Sequence, residues 1–187
     1  MIRAMILVAV IASCKGGDKS ASSAADPSSG GSCKPSPKLC AAMPAAGLAK
    51  LFEMPELTIE AEENASDSPA GTRAECRYKH DGDNTSLHLT LILACSNFDA
   101  KAEFAGIKRA LTNAGAIDDV TGLGDEAFWS HSGTSTIPFV EGFIKARKGS
   151  LVVDVLTRSY QINGAMTSET AKQRAIEAAK KLFAVAP

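Results

Sequence analysis

This 187-residue chain reads as an α+β protein, a two-layer sandwich in which an antiparallel sheet of about five strands carries three helices on one face. Three observations predict it. Leu87, Leu89, Leu91, Leu93 and Cys95 alternate with His88, Thr90 and their neighbours, so one side of a strand is apolar and the other wet. Ala175, Ile176, Ala179, Leu182 and Phe183 recur at helical spacing and form one apolar stripe. Short polar turns join the strand-like runs, and strands joined that way pair antiparallel.

Each element has a local reason. Residues 44–52 form a short helix: Pro44 suits a first turn, Leu48, Leu51 and Phe52 share a face, and Pro55 stops it. Residues 60–71 are acidic, polar and Pro/Gly-bearing, which reads mostly as loop. Ala74, Cys76 and Tyr78 alternate with Arg73, Glu75, Arg77 and Lys79 as a half-buried strand, and Asp81-Gly82-Asp83-Asn84 turns the chain into the leucine strand. Ser96 or Asn97 caps a helix over 98–114 with Phe104, Ile107 and Leu111 inward, and Gly115 ends it. A Gly122-Leu123-Gly124 turn leads into a strand at 127–130. Residues 137–147 and 151–157 make a hairpin with Lys148-Gly149 at its tip. Ser168 caps the last helix, to about Val185.

The N-terminal stretch speaks of location. Arg3 precedes nine apolar residues, 4–12, too short to cross a bilayer that needs about 20. Ile11-Ala12-Ser13-Cys14 resembles the lipobox of bacterial lipoproteins. The resemblance implies a signal peptide at 1–13, a diacylglyceryl group on the Cys14 thiol, and mature protein starting there. Two or more acyl chains hold firmly where one binds marginally, at about 0.8 kcal/mol per buried methylene. Residues 14–38 then change to Gly, Ser, Ala, Pro and Lys, the composition of a flexible tether. Residues 39–187 are expected to form a single globular α+β domain. Lys15 is not the aspartate that in some Gram-negative lipoproteins signals inner-membrane retention, so a cell-envelope site in the outer membrane is favoured. Losing Arg3 reduces the 20 Lys+Arg to 19 against 21 Asp+Glu, a net charge of −2. No Lys/Arg run makes a basic face, which argues against nucleic acid and leaves the membrane contact to the lipid.

With Cys14 acylated, Cys33, Cys40, Cys76 and Cys95 remain. An even number in an exported chain favours two disulfides, with three connectivities open. The absence of a C-x-x-C pair or a histidine at finger-like distance sets zinc aside.

The assembled residues resemble a family of small bacterial lipoproteins whose domain has no assigned function, best known from mycobacterial-type envelopes. The likeness lies in Cys40 opening the first helix, Cys76-Arg77-Tyr78, Gly122-Leu123-Gly124-Asp125-Glu126-Ala127 before a strand, the Lys148-Gly149 hairpin with its apolar strand 151–155, and the Ala-rich last helix. It implies an envelope-facing sensor or binding domain without known catalysis, and a Cys40–Cys76 disulfide. Cys33 and Cys95 depart from the family's usual two-cysteine pattern.

No arrangement for catalysis stands out. The three histidines are His80, His88 and His131, there is no G-x-S-x-G elbow, and Ser130-His131-Ser132 points neighbours to opposite sides of a strand. Gly122-x-Gly124 lacks the third glycine and the following helix of a phosphate loop. Asp118-Asp119 and Asp125-Glu126 lack the alternating ligand ladder of a calcium loop, and Glu60-Ala61-Glu62-Glu63 reads as a solvated run. No cofactor or metal is implied. Phe128-Trp129 is the exception: with Phe128 in the core, Trp129 would stand on an uncovered sheet face beside Phe139 and Phe143, a candidate binding surface. The expected function is thus a lipid-anchored, non-enzymatic envelope lipoprotein binding a protein or cell-wall partner. The alternative is a carrier of a lipid or other apolar ligand between helices and sheet, and the third reading is an envelope hydrolase.

Overall fold

The computed structural model describes Cys33, Pro35 and residues 38–114, 117–131, 139–161 and 166–186. The signal-peptide segment, Cys14, most of the 14–38 segment, Gly115 and Ile137 lie outside the described residues.

The elements run α1 (Leu39–Ala42), α2 (Ala45–Phe52), β1 (Thr58–Ser68), β2 (Gly71–Asp81), β3 (Thr85–Ser96), α3 (Ala100–Ala114), β4 (Ile117–Asp119), β5 (Glu126–His131), β6 (Phe139–Lys148), β7 (Leu151–Gln161) and α4 (Ser168–Val185). The fold is α+β, with one antiparallel sheet of seven strands in the order β1-β2-β3-β7-β6-β5-β4. Two meanders meet at its centre, where β3 pairs with β7. Helix α3 carries the chain from β3 to the far edge, and β4 to β7 step back inward.

Four helices and seven strands among the described residues exceed the three and five expected. The additions are elements without an apolar signature. β1 is an edge strand whose residues are nearly all exposed, so no alternation marks it, and its pairing with β2 slips at two bulges. The acidic run Glu60-Ala61-Glu62-Glu63 therefore lies in a strand, not a loop. β4 is three residues long and α1 four.

Registers set the two faces. Ala74, Leu93 and Val153 stand in one row, then Cys76, Leu91 and Val155, then Tyr78, Leu89 and Thr157. These residues are buried against α1, α2 and α4, where Leu39, Leu48, Phe52, Ala175, Ala179 and Leu182 close the main core. The Tyr78 hydroxyl donates to the Met43 carbonyl at 2.5 Å. Disulfides join Cys40 to Cys76 and Cys33 to Cys95, with Cα atoms 5.3 and 5.6 Å apart.

Helix α3 lies on the other face, a correction to the three-helices-on-one-side expectation. Its Phe104 packs on Phe128 at 5.1 Å between ring centroids, and Phe128 meets Phe143 at 5.9 Å. Neighbouring residues of β4 confirm the placement. Asp118 reaches Lys172 of α4, while Asp119 reaches Lys108 of α3 on the opposite side. Two caps also differ from expectation. Asp99 Oδ1 accepts from the Lys101 and Ala102 amides at the start of α3, both at 3.0 Å, and Thr167 Oγ1 accepts from Thr170 N at the start of α4.

Candidate functional site: the open half of the second sheet face

α3 shields β4 to β6 on the second face and stops short of β1, β2, β3 and β7. The bare half carries Arg73, Glu75, Arg77 and Lys79 from β2, His88, Thr90, Ile92 and Ala94 from β3, and Val152, Asp154, Leu156 and Arg158 from β7. Alternation along each strand puts the charged side chains on this side, opposite the leucine row, with Ile92, Ala94 and Val152 forming an aliphatic strip among them. Leu156 is 40% exposed here, and Phe98, just before α3, is 63% exposed.

A cleft of about 470 Å³ opens where this bare half meets the start of α3. Its floor is Ile92, Ala94 and Val152, its walls are the β1–β2 turn and Phe98, and Arg73 and Glu103 stand on its rims. Cys95 borders it at the end of β3, but it alternates in phase with Leu91 and Leu93, so its disulfide to Cys33 belongs to the leucine side of the strand.

Two charged groupings sit in and beside the cleft. Lys145 Nζ donates to both Asp154 oxygens, at 2.8 and 2.9 Å, with the side chains 13% and 18% exposed. Burial pushes the Asp154 carboxyl above the usual carboxylate range, and the Lys145 ammonium pulls against that rise. The second grouping is a line along β2. Glu75, nearly buried, accepts from Arg73 on one side and from Arg77 Nε at 2.5 Å on the other. One carboxylate thus serves two guanidiniums, and Arg77 also reaches Glu63 Oε1 at 3.5 Å, while Arg73 has no second carboxylate among the described residues.

The residues expected to make a recognition surface are distributed otherwise. Trp129 is 1% exposed and faces the main core, its ring lying over Gly142. Phe128 is buried as well, under α3. The premise that only one of these neighbours could be core fails because the sheet is covered on both faces at β5. Phe143 is half-buried on the α3 side beside Phe128, and Phe139 is half-buried near the start of β6. The three do not form one surface. Among the described residues, Trp129 Nε1 and His131 Nδ1 are buried without a hydrogen-bond partner.

The remaining sequence features have structural partners. Asp125 fastens the Gly122-Leu123-Gly124 turn to the β6–β7 hairpin: its amide donates to the Arg147 carbonyl at 2.7 Å, and its Oδ2 accepts from Gly149 N at 2.8 Å and Arg147 Nη1 at 3.3 Å. Strand β5, not a helix, follows the turn. Glu62 accepts from the Cys40 amide at 3.2 Å. His80 Nε2 lies 3.3 Å from Thr85 Oγ1, and His88 lies 3.4 Å from Asp81, both at the β2–β3 hairpin end. His131 is on β5, across the sheet from them. Among the described residues, no three His, Cys, Asp or Glu converge as metal ligands, and no helix is long and apolar enough to cross a membrane.

Sequence reasoning missed the cleft because its residues come from β1, β2, β3, β6, β7 and the start of α3, with no local motif. The signal that could have exposed the two-sided burial is the Phe128-Trp129 pair itself, since two large aromatics in succession on a strand ask for cover on both sides. Comparison of the chain with protein-family profiles, with curated proteins and with solved structures finds no match.

Proposed function

We propose that this chain is a lipid-anchored lipoprotein of a bacterial cell envelope, similar to the small mycobacterial-type lipoproteins, with a non-catalytic binding domain. In this reading residues 1–13 are removed and Cys14 is acylated. Residues 15–38 link the lipid to the domain at 39–187, and the outer membrane is the favoured site. The domain holds a protein or cell-wall partner on the open half of its second sheet face. The observation that carries this is the open β1–β3 and β7 surface, where Leu156 stays in water, next to a cleft that the exposed Phe98 borders. Surface cross-linking on intact cells tests it. Wild-type protein is expected to trap a defined envelope species that Leu156→Lys loses while melting at the wild-type temperature; equal capture by both proteins would contradict the reading.

A second reading, a carrier of a lipid or other apolar ligand, is favoured by the cleft alone. Its pocket would lie on the α3 side of the sheet rather than under α1, α2 and α4.

A further inference from the structure

We infer that the cleft binds a single-chain anionic amphiphile, with its chain on Ile92, Ala94 and Val152 and its head group on Arg73. This rests on the second reading above and names its ligand class.

Size and lining come first. About 470 Å³ falls within the roughly 300–1,000 Å³ of small-ligand sites. Ile92, Ala94 and Val152 give the floor an aliphatic strip beside the Lys145–Asp154 pair, and the Phe98 ring stands at the rim, mostly in water, where a chain lying along that strip would cover it.

Charge then selects the head group. The Lys145–Asp154 pair is internally satisfied, so the interior asks for no ligand charge. Arg73 is different. Its contact with Glu75 engages one of its nitrogens, its side chain is 54% exposed, and Glu75 is already shared with Arg77. A guanidinium has five N–H donors, so Arg73 keeps a fork free for a carboxylate or phosphate. Glu103, on the α3 rim, repels an anion there and accepts from Ser96. The head therefore sits at the β2 rim and the tail runs toward Phe98.

Lipid anchorage at Cys14, nineteen residues before Cys33, would keep the domain within reach of a membrane, a source of such amphiphiles.

The test uses the full chain carrying Cys14→Ser, prepared without detergent, and a dansyl-labelled fatty acid as probe. One saturable site per chain is expected, with displacement by oleate or by lysophosphatidate showing which head group is preferred. Oleyl alcohol should compete at least about tenfold less well than oleate. Arg73→Gln should weaken binding by about tenfold, in line with the worth of a charge-assisted hydrogen bond. Ala94→Trp should abolish it, and Lys79→Gln, on the same face but outside the cleft, should leave it unchanged. Phe98→Ser, an exposed change that spares the fold, should weaken it. Absence of saturable binding, equal competition by the alcohol, or wild-type binding by both Arg73→Gln and Phe98→Ser would overturn the proposal. Cross-linking at Leu156 reads the partner hypothesis separately.

Discussion

Gly142 on β6 is the diagonal neighbour of Trp129 on β5, and each explains the other. A Cβ on Gly142 would fall inside the Trp129 indole, so the large ring reaches the core only because its neighbour has no side chain. Gly142→Ala is expected to destabilise by about 1–3 kcal/mol, the usual result of overpacking, read as a fall in the urea midpoint at constant slope. Trp129→Ala should lose about 3–5 kcal/mol, which makes it a probe of the core and not of any surface. Tyr78 adds a pH dependence. Burial, with Glu62 nearby, raises its phenol pKa. The folded state therefore holds its proton more tightly than the unfolded chain. That stability is fully present below the unfolded pKa of about 10 and fades as pH rises beyond it. Melting curves between pH 8 and 11 should show an alkaline loss that Tyr78→Phe lacks; a loss equal in both would assign it to other groups.

Among elements, the strands with one dry and one wet side were legible: β3 from its leucines, β2 from Ala74, Cys76 and Tyr78, and the β6–β7 hairpin from Gly149 at φ 60°. α4 was equally plain in its alanine and leucine stripe. β1 was not legible, because an edge strand wet on both sides leaves no period, and acidic residues suit such an edge as readily as a loop. The stripe on α3 told that it packs, but not on which side of the sheet. The Gly122-Leu123-Gly124 segment showed a turn in the sequence, and only the fold reveals its clasp through Asp125. Asp125→Ala frees the turn from Gly149 N and strips Arg147, a largely buried cation, of a partner. A loss of about 1–3 kcal/mol is expected, together with faster amide exchange at Gly149 and Asp125's neighbours. Unchanged exchange there would deny the clasp.

For the whole molecule, cover decides where function can sit. The main core takes α1, α2 and α4, α3 takes the β4–β6 end of the second face, and the rest of that face stays open around a cleft. This division could not be read from the chain, since it depends on α3 crossing from β3 to the far edge. Two disulfides bind the start of the described chain to β2 and β3. Peptide mapping without reduction should yield Cys33–Cys95 and Cys40–Cys76 and no other pair. Removing the latter, which closes a loop of 36 residues, should cost roughly 4 kcal/mol in the chain-entropy account.

The proposed location and function both rest on a lipid anchor at Cys14. Growth with an alkyne fatty acid, followed by fractionation, tests it most directly. The account predicts labelled wild-type protein in the membrane fraction, with Cys14→Ser both unlabelled and soluble. Wild-type protein that is soluble, unlabelled and begins at a residue other than Cys14 would contradict it.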